Sequence, residues 1–248
     1  MRKTISVTII MVLALWLTTA VAFADSYNRS YLVATPTDEP PPPEPTPEAG
    51  QLFNRSAAAT YANTWAHGRN PNYPDFGGQC GCATDCTNYA SQVLHEGGYP
   101  LHPTDPATWY PLNPIQWWYG QNYPFGWWNT NSWSVPDALR EYVTHYPSDF
   151  QFKSSPVAGT NLTKGDFFLM DLDRDGTPDH TRVIVGSGYT STKPADYTYT
   201  GCISGGVAPI PARKMALLAN QHCVDRWHVV WNYNLPNGTK MWAYHVKW

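Results

Sequence analysis

Apolar positions recur at helical spacing in the first half of the chain and in short alternating or continuous runs in the second. In NRSAAATYANTWAHG, Asn54 stands where a helix needs a cap, and Ala58, Tyr61, Ala62 and Trp65 fall on one stripe. A second helix is predicted in DCTNYASQVLHEGG, with Asp85 placed to cap it and Gly97 and Gly98 to stop it. Its apolar positions Cys86, Tyr89, Ala90, Val93 and Leu94 share a face, which turns Cys86 inward at the helix start. A third helix is predicted in SWSVPDALREYVTHY, with Ser134 capping, Pro136 in the first turn, and Ala138, Leu139, Tyr142 and Val143 inward. Beyond it the pattern changes to strands: DFQFK, DFFLMDL, HTRVIVGSG, MALLANQH and MWAYHVKW. Helices followed by strands predict an α+β domain, its N-terminal helices packed on an antiparallel β-sheet.

The ends of the chain do not share this pattern. Residues 1–24 open with Arg2 and Lys3, continue in an apolar run and finish Ala22-Phe23-Ala24, the layout of a cleaved signal peptide, with a retained membrane anchor as the alternative. Residues 25–50 form a Pro-rich linker, densest from Thr35 to Gly50, which lacks the donors and apolar area to fold and is expected to be extended. Residues 51–248 are then one domain, enough chain for a single well-filled core. Nothing downstream of the signal is apolar enough to span a bilayer, so the processed protein is expected off the membrane, secreted or associated with the cell envelope.

Loss of Arg2 and Lys3 moves the net charge from −3 to −5, and no basic stripe is present, which argues against a nucleic-acid partner. Aromatic residues make up 15% of the chain and are densest in WWYGQNYPFGWW, residues 117–128. Such rings can form a binding wall for sugars or peptides, or fill the core of a loop-rich domain; the second use is the expected one.

Cysteine and histidine carry the candidate chemistry. Cys86 has the address of a nucleophile, because the unpaired N–H groups and dipole of a helix N-terminus favour a thiolate. A partner histidine must take the thiol proton and return it to the leaving group. His67, His95, His102, His145, His228 and His245 have undistinguished settings, whereas His180 opens the strand HTRVIVGSG directly after a tight turn. Cys80, Cys82, Cys202 and Cys223 remain, an even number that suits two disulfides in an exported chain, with the pairing open. A zinc site from Cys80, Cys82 and Cys86 with His222 or Cys223 is disfavoured because C-x-C-x3-C matches no common knuckle, and Cys82 is a weaker nucleophile candidate because it lacks the helix start.

The segments DCTNYASQVLHEGGYP and TKGDFFLMDLDRDGTPDHTRVIVG resemble the putative amidase domain family, whose members show D-C-T-N-[FY]-x-S-Q, then G-D and D-x-D-x-D-G-x-x-D-H. The resemblance extends from about Asn54 to Trp231. It implies a papain-like fold related to CHAP and NlpC-type cell-wall hydrolases, with Cys86 as nucleophile and His180 as base. A third member is expected on the next strand, where His222 is favoured over Asp225 and Asn220. The oxyanion donors implied are the Cys86 backbone N–H and a preceding side chain, taken as Gln79.

Asp171 to Gly176 reads DLDRDG, the start of a calcium loop. Position twelve, normally a bidentate glutamate, is Arg182, so the segment is read as a hairpin turn presenting His180, and neither metal nor cofactor is expected. The function expected is a secreted cysteine-dependent hydrolase of amide or peptide bonds acting on a peptidoglycan-like substrate, with oligomeric state left open. The alternative is a non-catalytic glycan- or peptide-binding module on an inherited papain-like frame.

Overall fold

The computed structural model describes residues 52–76, 85–104, 108, 110–122, 126–153, 162–197, 211–222, 225–232, 235 and 238–248. The expected signal peptide and linker, Gln79, Cys80, Cys82, Cys202 and Cys223 lie outside the described residues.

Helix α1 (Arg55–Trp65) begins as its sequence demands: Asn54 Oδ1 accepts the Ala57 N–H at 2.9 Å, and Ala58, Tyr61 and Ala62 are buried. Helix α2 (Asp85–Glu96) buries every side chain from Asp85 to Leu94 and ends at Gly98, whose φ of +96° suits glycine. A short hairpin of β1 (Tyr119–Asn122) and β2 (Gly126–Asn129) follows, then the one-turn α3 (Asn131–Ser134) and α4 (Pro136–His145). The sequence pattern misses this hairpin and α3, which are too short to show a period. Ser134 does not cap α4; it ends α3 and its hydroxyl accepts from Asn129 Nδ2, while Val135 occupies the cap position with no side-chain bond.

The remaining strands are β3 (Phe150–Lys153), β4 (Phe167–Asp171), β5 (His180–Tyr189), β6 (Met215–Gln221), β7 (Arg226–Val230) and β8 (Lys240–Val246). They form one antiparallel sheet in the order β3-β8-β4-β5-β6-β7. Alternation along the strands sends Phe167, Leu169, Val183, Val185 and Tyr244 into one core with Ala58, Tyr89, Ala90, Val93 and Leu94 of the helices. The other face carries Phe168 against Trp231 and Arg182 bonded to Gln221 and the Trp231 carbonyl. The α+β class and the antiparallel sheet are therefore as the sequence implies. Among the described residues, no helix is long and apolar enough to cross a membrane.

The aromatic segment packs the core. Trp117 and Trp118 are buried, Trp117 lies 4.7 Å from Trp133 between ring centroids, and the Trp117 and Trp133 indoles donate to Ser91 and Asn88 of α2. Of the described rings in the segment, Trp128 is the exposed one, at 42%.

Gly165 and Asp166 lock the sheet to α1. Asp166 is fully buried, accepts from Arg55 at 2.8 Å and from the Thr163 N–H at 2.8 Å, and lies 2.9 Å from His245 Nδ1. Gly165 has φ +85°, and a Cβ there would sit 2.6 Å from the Phe53 ring. Gly165→Ala is expected to lower stability by about 1–3 kcal/mol through overpacking and an unfavourable φ. An unchanged urea midpoint would contradict this account.

Candidate active site

The first turn of α2 is held from three directions. On the sheet side, Thr87 Oγ1 and Thr181 Oγ1 meet at 2.8 Å, joining the residue after Cys86 to the residue after His180. Toward the aromatic cluster, Asn88 Nδ2 donates to the Pro74 carbonyl at 2.9 Å and Asn88 Oδ1 accepts from Trp133. Toward α1, Asp85 Oδ2 lies 2.8 Å from Arg69 and 3.2 Å from His222 Nδ1. The Asp85 to His222 approach is close enough for charge attraction but too poorly aligned for a full hydrogen bond.

These contacts give Asp85 another task than the expected cap. Burial is the largest influence and would raise its carboxyl, but His222 and Arg69 together outweigh it, leaving the group below the usual carboxylate range. Arg69 also grips Asp225 with both terminal nitrogens, at 2.9 and 3.0 Å. No sequence signal marked Arg69, because a lone arginine in a loop has no periodic context; its role comes from the fold bringing Asp85 and Asp225 to the same spot.

Cys86 is fully buried on α2, and its sulfur lies 3.8 Å from Thr87 Oγ1. His180 is the first residue of β5, paired with Met170 of β4 and nearly buried. Strand alternation turns its ring away from the direction of Thr181, the β5 residue whose hydroxyl meets α2. Among the described residues, none hydrogen-bonds the His180 ring, whereas the base of a nucleophilic pair needs such contact only in the reacting complex.

The three candidates for a third member are all committed elsewhere. His222 is stacked on Tyr89 at 4.0 Å, its Nε2 is 2.7 Å from the Trp65 carbonyl at the end of α1, and its Nδ1 faces Asp85. Its Nε2 is thus committed to the Trp65 carbonyl, while its Nδ1 faces Asp85 without a full hydrogen bond. Asn220 donates to the Ala62 carbonyl and Asn63 and accepts from the His228 N–H. Asp225 is held by Arg69. The residues that sequence order made catalytic candidates thus form a bracket between α1 and the start of α2. Gln79, the suggested oxyanion donor, falls outside the described residues.

The site thus consists of a buried helix-start cysteine and a neighbouring strand that opens with histidine, on an α+β frame. The chain matches the model of the putative amidase domain family over residues 52–246, and it belongs to that family. It is also similar to "Uncharacterized protein YhbB" of Bacillus subtilis strain 168, with 28% identity over 135 residues, which is 54% of this chain and 37% of that protein. The chain therefore spans well under half the length of this relative. No solved structure matches.

Proposed function

We propose that the protein is a cysteine-dependent hydrolase of amide or peptide bonds on a papain-like frame, with Cys86 as nucleophile and His180 as general base. Membership of the amidase family supports the reaction class. The observation that carries the residue assignment is the Thr87 to Thr181 hydroxyl pair, which registers the start of α2 against the start of β5. His180 is preferred to His222 as base because His222 is stacked on Tyr89 and its Nε2 is held at the Trp65 carbonyl, whereas among the described residues none hydrogen-bonds the His180 ring.

In the proposed cycle, His180 takes the thiol proton and the Cys86 sulfur bonds to the carbonyl carbon, placing negative charge on the carbonyl oxygen. Backbone N–H groups at the start of α2 stabilise that charge. The C–N bond then breaks as His180 returns its proton to the amine, leaving a thioester. Water, deprotonated by His180, cleaves the thioester to a carboxylate and restores the thiol. The proposed substrate is peptidoglycan-like peptide reached by an exported enzyme, on the strength of the N-terminal residues and the resemblance to cell-wall hydrolases.

The test is alkylation of the full chain with iodoacetamide, followed by product analysis by mass on peptidoglycan and model amides. One equivalent incorporated at Cys86, with parallel loss of hydrolysis, is expected. Hydrolysis that survives complete alkylation of Cys86 overturns the nucleophile, and binding of glycan or peptide without any cleavage supports the non-catalytic module instead.

A further inference from the structure

The turn joining β4 to β5 carries a feature that the hydrolase reading does not use. Asp171, Asp173 and Asp179 each offer one carboxylate oxygen, and these oxygens lie within 4.8 Å of one another. Two oxygens that share an ion at about 2.4 Å can stand at most about 4.8 Å apart, so the cluster has the span of a calcium coordination sphere.

Proximity of acids is common on surfaces, but Asp171 is not on the surface. It is fully buried at the end of β4; its Oδ2 accepts the Gly176 N–H at 2.9 Å, while its Oδ1 has no hydrogen-bond partner. A buried, ionisable oxygen left unpaired is costly, and native proteins rarely keep one without a ligand. Among the described residues, no lysine or arginine forms an ion pair with Asp171, Asp173 or Asp179 that would offset their charge.

The other two donors are arranged compatibly. Asp173 Oδ1 accepts the Asp175 N–H, and Asp179 Oδ2 accepts the Leu172 and Asp173 N–H groups, so each carboxylate is fixed by one oxygen and retains the second. Asp179 therefore supplies, from position nine, the acidic ligand that a twelve-residue loop takes from position twelve, where Arg182 instead turns to Gln221 on the outer face of the sheet. Gly176, at φ +99°, makes the sharp turn required at position six.

We infer that the β4–β5 turn binds one calcium ion through Asp171, Asp173 and Asp179, fastening the end of β4 to the residue before His180. An all-oxygen donor set of hard carboxylates suits calcium or magnesium, and the irregular, partly preformed shell suits the larger ion, which tolerates varied geometry. The inference concerns the turn itself and holds whether or not Cys86 is a nucleophile; only its bearing on the placement of His180 rests on the hydrolase reading.

The experiment uses the full chain, stripped with EDTA, titrated with calcium chloride in a calorimeter and melted with and without the ion. One equivalent of calcium and a rise in melting midpoint of roughly 5–10 °C near one hundred times the dissociation constant are expected. Asp173→Asn keeps the oxygen that accepts the Asp175 N–H and lies at an exposed position, so in EDTA its midpoint should match the wild type, while its calcium affinity falls at least about tenfold. No heat and no midpoint shift up to about 10 mM calcium would overturn the site, as would an equal shift in the Asp173→Asn, Asp179→Asn double variant. Magnesium matching calcium at equal concentration would overturn the choice of ion.

Discussion

On the proposed mechanism, Cys86→Ala is expected to lower kcat/KM for amide hydrolysis by about 10⁴-fold or more, to the level of whatever binding and oxyanion donors achieve alone. The reason is chemical: without sulfur no thioester forms, and a buried alanine of nearly the same shape leaves the packing of α2 intact. His180→Ala is expected to lower the rate by about 10²–10⁴-fold, because a cysteine keeps some nucleophilicity without the proposed base. In the double variant the losses do not multiply, since base and nucleophile act on one step. By contrast, Asn220→Ala and Asp225→Ala, whose groups are spent on α1 and Arg69, should reduce stability more than kcat. Initial rates on one model amide, with urea midpoints for each variant, check the set. Wild-type rates from Cys86→Ala with a native midpoint would remove cysteine chemistry from this protein.

What the chain discloses before folding follows from how local each signal is. Periodicity over a dozen residues marks α1, α2 and α4, and the Asn54 cap is legible because cap and helix are adjacent in sequence. Cys86 was legible as inward-facing by the same means, since the residues that share its face lie within two turns of it. The third-member candidates went differently: strand order places His222, Asn220 and Asp225 at or just beyond the end of β6, but partners more than 150 residues away decide what each does. The spacing of β6 residues reveals neither that the α1 terminus arrives above them nor that Arg69 sits between two carboxylates. In the acidic turn, spacing alone does not show that Asp171, Asp173 and Asp179 come within 4.8 Å of one another. Burial of Asp171, a property of the finished sheet, is what sets that turn apart from an ordinary hairpin.

The largest stability effect is expected at Asp85, whose buried carboxylate is faced by both Arg69 and His222. Asp85→Ala removes the charge that Arg69 and His222 both face, leaving the fully buried His222 without its carboxylate, and should cost about 3–5 kcal/mol. Asp225→Ala breaks a half-buried edge of the same network, with Asp225 29% accessible, and should cost about 1 kcal/mol. The pH dependence separates charge from packing. Because the folded Asp85 carboxyl is held below its ordinary value, its contribution is complete above the unfolded-chain value near pH 4 and disappears as pH falls through the folded value. The wild type should therefore begin to lose its advantage over Asp85→Asn below about pH 4 and keep it in full at neutral pH. Urea unfolding of both proteins at pH 7 and pH 3 measures this directly, with m expected unchanged. A gap that is the same at both pH values would mean that shape rather than charge holds α2 to α1, and the bracket around Cys86 would then have to be ascribed to the Tyr89 stack and the Trp65 carbonyl alone.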